Sequence, residues 1–475
     1  MVTTSKSNVL FFYPENIPSA MLLNSTMKKI LIDLRKSSSV NESQWTVKSI
    51  LNNAKVSCCY HSIERSKKDN KDKSESEILA TIRNRLSVII FGTDSVSRLN
   101  FIRTQPKTYQ YLTKELKAIE YKGYNKIGDN TFPNIIALLT GNLWTDEFAQ
   151  KCYRKFVKDA RRYSEIFDNC PIIWKDFQSA GYTTALLEIL LSYSHDFQVT
   201  YKNDLTFSHV WATALTHDNM NQGVYADEPN LKYLKSLKED GIFNKTILFF
   251  ISDHGIRFGK FRETDWGRYE ENLPSVFIVL PEWFHERFPI ASKNLQENSL
   301  RLSTPLDLHE TFKDILYEKY SDKNHVLKNS SDKERRISLF QVITMVVLKN
   351  RKLLNRLPIT RTCTDIGMPL QYCACQNYVQ LEDTDDETTY SGIVGHLVTV
   401  QASYEPGNAL IETALIWEKT NKNSSFTVFG EISRINRYGD QSKCVSDNIK
   451  LYGSVTLMMI DFRAVFIKGS LKNYP

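Results

Sequence analysis

Two apolar runs in this sequence are followed by side chains that bind metal ions in many proteins. Asp94 follows SVIIFGT, and Asp253 and His254 follow TILFFIS. Two carboxylates and an imidazole, joined by a hydroxyl such as that of Thr131, would make a mixed oxygen and nitrogen site for Zn²⁺, Mn²⁺ or Mg²⁺. An aspartate after a strand is more often an Asx turn or a helix cap. The Asp-His-Gly sequence is more specific, because the glycine lets the chain turn away and packing does not require the histidine.

Thr131 lies in GDNTFPNIIALLTG, between a polar turn and a short apolar segment that predicts a helix. In one interpretation Thr131 is the N-cap of this helix, followed by an ordinary first-turn proline. In the other it is a nucleophile, because a helix N-terminus offers N–H groups and a positive dipole end that suit a bound phosphate. The hydroxyl would then need a metal or a base to activate it.

The elements that must position these residues alternate between strands and helices. The runs that begin at Ser87 and Ser275 are continuously apolar, which is typical of strands buried on both faces. PIIWKDFQSAGYTTALLE predicts a helix, a turn at Gly181 and a strand. A later segment predicts a helix that contains Leu231, Leu234 and Leu237. It continues with a turn at Gly241 and a strand at Thr246–Ser252. We therefore expect an α/β fold with a mostly parallel sheet and helices on both faces, which binds ligands beyond the carboxyl ends of its strands.

Composition divides the chain into three predicted regions. Residues 1–85 are polar, and their mixed-charge run RSKKDNKDKSESE predicts a solvated linker. Residues 86–350 carry the α/β pattern. Residues 351–475 predict a small, mostly β domain that contains cysteines, because GIVGHLVTVQASY and SSFTVFGEISRI alternate like antiparallel strands. This region also contains the acidic segment LEDTDDETTYSG and an atypical tail from Gly453.

The overall charge and hydropathy exclude some classes of protein. The 475 residues include 61 Lys and Arg against 54 Asp and Glu, a net charge of +7. This small, dispersed excess favours anionic ligands weakly and does not indicate a nucleic-acid-binding protein. No apolar span reaches about 18 residues, so we expect no transmembrane helix. The apolar core near the N-terminus, Val9–Phe12, is too short for a signal peptide.

The cysteines are clustered in a way that favours disulfides over a zinc site. We predict that Cys152 pairs with Cys170, and that Cys363 pairs with Cys373 or Cys375. Disulfides imply an oxidising compartment, here the extracellular space or the lumen of the secretory pathway. Glycosylation sequons at five positions are compatible with a glycoprotein, although the missing signal sequence conflicts with secretion. These sequons begin at Asn24, Asn41, Asn244, Asn329 and Asn423.

The motifs GTDSVSR, GDNTFPNIIALLTG, TILFFISDHGIRFG and GRYEENLPSVFIVLP occur in this order. In their order and spacing they resemble the alkaline-phosphatase-like superfamily, and most closely an uncharacterised branch of animal proteins catalogued as a domain of unknown function. The resemblance implies that residues 86–350 form a catalytic domain of this type with Asp94, Asp253 and His254 as metal ligands. It also implies that Thr131 binds the metal and acts as the nucleophile, in the Thr-Phe-Pro-Asn context of nucleotide pyrophosphatase/phosphodiesterases.

The resemblance further implies residues that bind the substrate. Asn134 would hold the phosphoryl oxygens. His217 matches a position where sulfatases and phosphoethanolamine transferases place a histidine for the substrate anion or the leaving group, and an ordinary loop histidine is the equal alternative. Glu270 matches a recurrent glutamate near the site, for which a structural role is the favoured alternative. Arg98 would bind an anion or pair with a carboxylate.

The sequence departs from the family pattern at three points. It lacks a Cys/Ser-x-Pro-x-Arg pattern, which argues against a formylglycine sulfatase. Ligands for a second metal are not found, so we expect one divalent metal, Zn²⁺ or Mn²⁺, with Mg²⁺ and Ca²⁺ as alternatives. Ile189 follows Glu188 where the family usually has an aspartate.

The sequence is compatible with two functions. The first is a metal-dependent hydrolase or transferase that acts on phosphate esters of small molecules, glycans or lipids, with sulfate esters as the second choice. The alternative is a catalytically silent secreted binding protein on the same fold, because a fold does not guarantee an activity. The set Asp94, Thr131, Asp253 and His254 favours the enzyme, and the change at Ile189 favours the binding protein.

Overall fold

A computed structural model describes ten segments of the chain. They are residues 45–48, 55–58, 85–152, 169–188, 191–328, 335–343, 361–374, 396–404, 409–419 and 424–437. The first two segments are the strands β1 (Trp45–Lys48) and β2 (Lys55–Cys58), which pair in antiparallel fashion.

A six-stranded sheet forms the centre of the described structure. Its strands are β3 (Ser87–Thr93), β4 (Ile119–Glu120), β5 (Thr183–Glu188), β6 (Thr206–Ala212), β7 (Thr246–Ser252) and β8 (Val276–Val279). Their order is β4-β8-β7-β3-β6-β5. The four strands β5, β6, β3 and β7 are parallel to one another, whereas β8 is antiparallel to both β7 and β4. The predicted α/β fold with a mostly parallel sheet is confirmed.

Helices pack on both faces of this sheet, as predicted. The α-helices are α1 (Arg98–Thr104), α2 (Pro106–Gln110), α3 (Thr131–Thr140), α4 (Asp146–Cys152), α5 (Ile173–Ser179), α6 (Leu191–Thr200), α7 (Val224–Glu239), α8 (Asp265–Asn272), α9 (Glu282–Arg287), α10 (Pro289–Asn298), α11 (Pro305–Leu316) and α12 (Lys323–Leu327). Shorter helical turns are Tyr111–Glu115, Met220–Gly223, Ile242–Asn244, Lys319–Ser321 and Leu370–Tyr372.

Alternate residues of β3 supply the two hydrophobic cores, because successive side chains of a strand point to opposite faces. Val88 and Ile90 pack in the core that contains α3, α5 and α11, and Ile89 and Phe91 pack in the core that contains α1 and α7. All seven residues of β3 are buried, which is why its sequence is continuously apolar instead of alternating.

The segment predicted as helix, turn and strand forms α7, a turn and β7. Leu234 and Leu237 of α7 are fully buried. Gly241 follows the helix at φ +70°, a left-handed conformation that glycine adopts without steric cost.

The C-terminal part contains another antiparallel sheet, with three strands. Its strands are β9 (His396–Tyr404), β10 (Ala409–Lys419) and β11 (Ser424–Arg434), with β10 in the centre. The predicted antiparallel strands correspond to β9 and β11, whereas β10 was not predicted. Residues 361–374 lie beyond the predicted boundary at 350, yet Ile366 and Met368 pack against Ala137 of α3 and Leu306 of α11. The acidic segment 381–392 and the tail from Gly453 lie outside the described residues.

The predicted disulfides are confirmed where the structure describes the cysteines. Cys152 at the end of α4 is bonded to Cys170, and Cys363 is bonded to Cys373. The alternative partner, Cys375, lies outside the described residues. Among the helices that the structure describes, none is both long enough and apolar enough to cross a membrane.

His209 on β6 is a buried histidine whose two ring nitrogens lack hydrogen-bond partners within the described segments. Its ring stacks on Trp211 of the same strand. Burial lowers the pKa of His209 to about 4, from an ordinary value of 6.5. Between these pH values the unfolded chain therefore binds a proton that the folded protein excludes.

The variant His209→Phe is expected to be less sensitive to acid than the wild type. Because the folded pKa lies below the unfolded one, the wild type keeps its full stability above pH 6.5 and loses it as the pH falls towards 4. Phenylalanine keeps a ring against Trp211 and does not titrate. Between pH 7 and 4 the free energy of unfolding should fall by about 3 kcal/mol less in the variant, measured by urea denaturation. The control is His195→Gln, which replaces a partly exposed histidine. If the free energy of unfolding of His209→Phe depended on pH as it does in the wild type, this explanation would be wrong.

Candidate active site

The register of two neighbouring strands brings the predicted metal ligands together. Thr93, the last residue of β3, pairs with Ser252, the last residue of β7. The next residues, Asp94 and Asp253, therefore leave the same edge of the sheet side by side. Asp94, Asp253 and His254 are all buried, and each offers one ligand atom within 4.8 Å of the others.

Ser95 connects the two carboxylates and was not found from the sequence. Its backbone N–H donates to Asp253 Oδ1 at 3.1 Å, and its hydroxyl donates to Asp94 Oδ1 at 2.8 Å. It adopts φ +61°, a left-handed conformation that is uncommon for a residue other than glycine. A backbone in this conformation persists where the surrounding contacts hold it, and here they include both carboxylates.

The imidazole of His254 is oriented by a hydrogen bond to the backbone of the next residue. Nδ1 lies 2.7 Å from the carbonyl oxygen of Gly255, which can only accept, so Nδ1 carries the proton and Nε2 has a free lone pair. The sequence interpretation of Gly255 needs correction, because this residue does not have the positive φ of a turning glycine. Instead, a Cβ atom there would lie 2.3 Å from the carbonyl oxygen of Glu270, so close packing requires the glycine.

The electrostatics of the cluster favour a bound cation. Burial, followed by the charge of Asp253, raises the pKa of Asp94, and burial raises the pKa of Asp253. Burial, followed by the positive charges of Lys126 and Arg257, lowers the pKa of His254 to about 4, so its imidazole is neutral at pH 7.

Two potential ligand atoms face each other in the cluster. Asp253 Oδ2 lies 3.2 Å from His254 Nε2, and Asp253 Oδ2 has no hydrogen-bond partner within the described part of the chain. No described lysine or arginine forms an ion pair with Asp94 or Asp253. Buried carboxylates are stable when they are paired or bind a metal, so this donor set fits one divalent ion.

Thr131 reaches the same cluster from the first turn of α3. Its Oγ1 lies 3.4 Å from Asp94 Oδ2 and 3.3 Å from His254 Nε2. The prediction of Thr131 as the N-cap is wrong, because Asn130 is the cap and its side chain accepts from Phe132 N at 3.1 Å. Since Asn130 performs the capping, the Thr131 hydroxyl is free to face the carboxylate and the imidazole.

Asn134 holds the loop that precedes Thr131. Its Oδ1 accepts from the backbone N–H groups of Ile127 and Gly128, and its Nδ2 donates to the carbonyl oxygens of Gly128 and Asn130. These bonds satisfy the amide, which favours a structural role. Its predicted contact with phosphoryl oxygens stays a prediction.

Two other predicted substrate-binding residues, Arg98 and Glu270, pair with side chains of opposite charge. Arg98 Nε donates to Glu120 Oε1 at 2.7 Å, which is the carboxylate pairing that the sequence left as one alternative. Glu270 accepts two hydrogen bonds from Arg103 and one from the hydroxyl of Ser97, which agrees with a structural role. Their contact with a substrate stays a prediction.

His217 lies on the loop after β6, and 42% of its side chain is exposed. Its Nδ1 lies 2.7 Å from Asp218 Oδ1. Burial raises the pKa of Asp94, and the charge of His217 is the smallest of the influences that lower it. This position is compatible with its predicted contact to a substrate.

A group of buried and partly buried charges beside the cluster could not be recognised from the sequence. Arg257 Nη1 donates to Asp129 Oδ2 at 2.7 Å, and Lys126 Nζ donates to the carbonyl oxygen of Asp129 at 3.0 Å and pairs with Glu271. The one signal in the sequence is position, because Arg257 follows His254 by three residues and Asp129 precedes Thr131 by two.

Of the predicted glycosylation sequons, the one at Asn244 lies within the described residues. Asn244 is exposed on the turn that precedes β7, at the opposite edge of the sheet from Asp94. The other sequon asparagines, Asn24, Asn41, Asn329 and Asn423, lie outside the described residues. Glycosylation stays a prediction.

Comparison with protein families agrees with the resemblance seen in the sequence. The family model described as "Protein of unknown function (DUF229)" matches residues 39–188 and 186–399. None of the curated proteins matches the sequence at a significant level.

Several solved structures are similar to the chain at low identity. The lipoteichoic acid synthase LtaP from Listeria monocytogenes has 10% identity and a TM-score of 0.36 over 77% of this chain and 88% of that chain. The PsFucS1 sulfatase from Pseudoalteromonas sp. has 11% identity and a TM-score of 0.38 over 80% of this chain and 92% of that chain.

Murine ectonucleotide pyrophosphatase/phosphodiesterase 5 has 13% identity and a TM-score of 0.28 over 37% of this chain. The match spans 59% of the murine chain, less than two thirds of its length. Likenesses of this degree do not establish a shared activity.

Proposed function

The chain belongs to the family of proteins of unknown function DUF229, and we propose that it is a metal-dependent hydrolase or transferase of phosphate esters with Thr131 as nucleophile. One observation carries this proposal: the Thr131 hydroxyl takes no part in capping its helix and lies 3.4 Å from Asp94 Oδ2 and 3.3 Å from His254 Nε2. Sulfate esters are the second substrate class.

The metal ligands in this proposal are Asp94, Asp253 and His254, with Thr131 as the fourth. A divalent ion bound there would supply a Lewis acid that lowers the pKa of the Thr131 hydroxyl. The chain itself prepares the ligands. Ser95 fixes both carboxylates, and the carbonyl oxygen of Gly255 keeps the lone pair of His254 Nε2 directed at the cluster.

The reaction that we propose has two steps. Thr131 Oγ1 gives its proton to water and forms a bond to phosphorus, while the bond from phosphorus to the leaving oxygen breaks and the leaving oxygen takes up a proton. The N-terminus of α3 stabilises the negative charge of the phosphoryl group. Water or an acceptor hydroxyl then attacks phosphorus from outside and gives its proton back to His217, while the released threonine oxygen takes a proton from water and becomes a hydroxyl again. We assign the proton of the leaving oxygen to His217, whose side chain is 42% exposed on the loop after β6.

Two disulfides in the described part of the chain support a location in an oxidising compartment. We therefore propose the extracellular space or the lumen of the secretory pathway as the place where the protein acts. Its substrates would then be phosphate esters of small molecules, glycans or lipids that are present there.

Metal reconstitution tests the proposed function directly. Protein treated with a chelator and then loaded with Zn²⁺, Mn²⁺, Mg²⁺ or Ca²⁺ should bind one ion per chain, as measured by elemental analysis. Turnover of p-nitrophenyl phosphate or bis-p-nitrophenyl phosphate should appear with Zn²⁺ or Mn²⁺ and disappear after chelation. Turnover of p-nitrophenyl sulfate alone would select the second substrate class. One bound ion without turnover of any ester would favour the catalytically silent binding protein.

A further inference from the structure

Arg257 connects the two loops that carry the reactive groups of the proposed site. It follows His254 by three residues on the loop after β7, and its Nη1 donates to Asp129 Oδ2 at 2.7 Å. Asp129 precedes Thr131 by two residues on the loop that enters α3. The guanidinium of Arg257 therefore lies between the imidazole loop and the hydroxyl loop.

Asp129 is held in place from several directions, which fixes the position of Arg257. Its Oδ1 accepts from the hydroxyl of Ser433 on β11 at 2.5 Å, and its carbonyl oxygen accepts from Lys126 Nζ at 3.0 Å. Asp129 is therefore held at both carboxylate oxygens and at its carbonyl oxygen.

Arg257 differs from the neighbouring cations because it keeps donors free. Its side chain is 20% exposed, and the described residues provide no acceptor for its Nε or Nη2. Lys126, in contrast, is fully buried, pairs with Glu271 and lies over the ring of Tyr372. Arg262 is buried between Glu271 and Glu412.

We infer that Arg257, anchored by Asp129, binds the non-bridging oxygens of the oxyanion group that reacts at Thr131. A guanidinium presents its N–H donors in a planar fork that matches phosphate and sulfate oxygens, and the bonds it forms with them are assisted by charge. This inference rests on the proposed function, because the position of the reacting group is set by Thr131. A two-point contact with Nε and Nη2 would require an oxyanion with at least two unsubstituted oxygens, as phosphate and sulfate esters have.

Binding of inorganic phosphate to the zinc-loaded protein tests the inference without turnover. We expect Arg257→Gln to weaken phosphate binding about 10- to 100-fold in isothermal titration calorimetry, because it removes a charged hydrogen-bond donor. The bound zinc should remain at the wild-type level, because Arg257 is not a ligand. Arg85→Gln is the matched control, since Arg85 is similarly exposed and paired with Glu318 at the other end of β3.

A second variant covers the case in which Arg257→Gln does not fold. Arg257→Lys keeps a positive charge beside Asp129 but lacks the planar fork, and we expect about 3- to 10-fold weaker phosphate binding. Wild-type phosphate affinity in the folded variants would overturn the inference, even if the wild type hydrolyses phosphate esters. If phosphate binding depends on Arg257 while the wild type shows no ester turnover, the oxyanion site stands and the proposed catalytic function falls.

Discussion

The variant Thr131→Ala is expected to lose turnover of the best phosphate ester by about three to six orders of magnitude, the loss that follows removal of a catalytic nucleophile. Its stability should hardly change, because Asn130 caps α3 and the Thr131 hydroxyl contacts the metal-binding cluster and not the end of the helix. The measurement is kcat/KM in zinc- or manganese-loaded protein, together with the free energy of unfolding in urea.

Two matched variants separate catalysis from helix capping. Thr131→Ser keeps a hydroxyl at the same position and should retain measurable turnover. Asn130→Ala removes the cap and should cost about 1 kcal/mol of stability while leaving the nucleophile in place. If Thr131→Ala were as active as the wild type, the threonine mechanism would be wrong.

The variant Asp253→Asn is expected to lose the metal. Asparagine keeps an oxygen that can accept from Ser95 N but carries no charge, so metal affinity should fall more than about 100-fold, beyond the loss seen when groups that only support a ligand are removed. Elemental analysis after dialysis should then find little metal in the variant and one ion per chain in the wild type. Turnover should fall in parallel.

The same variant should be more stable than the wild type when both are metal-free. Burial raises the pKa of Asp253 above 3.8, so the folded metal-free protein holds its proton more tightly than the unfolded chain. Metal-free wild type therefore loses stability as the pH rises from about 4 through the folded pKa, and asparagine removes this loss. Urea unfolding at pH 4 and pH 7.5 measures the difference.

Asp227→Asn is the matched control for the metal prediction. Asp227 is also a buried aspartate, but it accepts hydrogen bonds from the backbone of Lys107 and Thr108, away from the cluster. This variant should keep its metal. Equal metal content in Asp253→Asn and Asp227→Asn would remove Asp253 from the ligand set.

Residue types and their spacing were sufficient to predict the central sheet. They also predicted that residues following its parallel strands lie close together. Continuous apolar runs such as Ser87–Thr93 and Thr246–Ser252 bury both faces, so they had to be central strands. Parallel strands in one sheet end at the same edge, which is why the sequence alone could place Asp94, Asp253 and His254 together. Local cysteine clustering was sufficient for Cys152 and Cys170, since their separation along the chain is short.

The roles of individual side chains, in contrast, depend on how distant segments pack. Whether Thr131 or Asn130 caps α3 depends on how the preceding loop enters the helix, and Asn134 holds that loop through backbone contacts that leave no periodic pattern in the sequence. The position of Arg257 depends on Asp129, which is distant along the chain. Asp129 in turn depends on Ser433, more than 300 residues away. Contacts between distant segments are set by the packing of the sheets, so residue type and spacing alone could not reveal them.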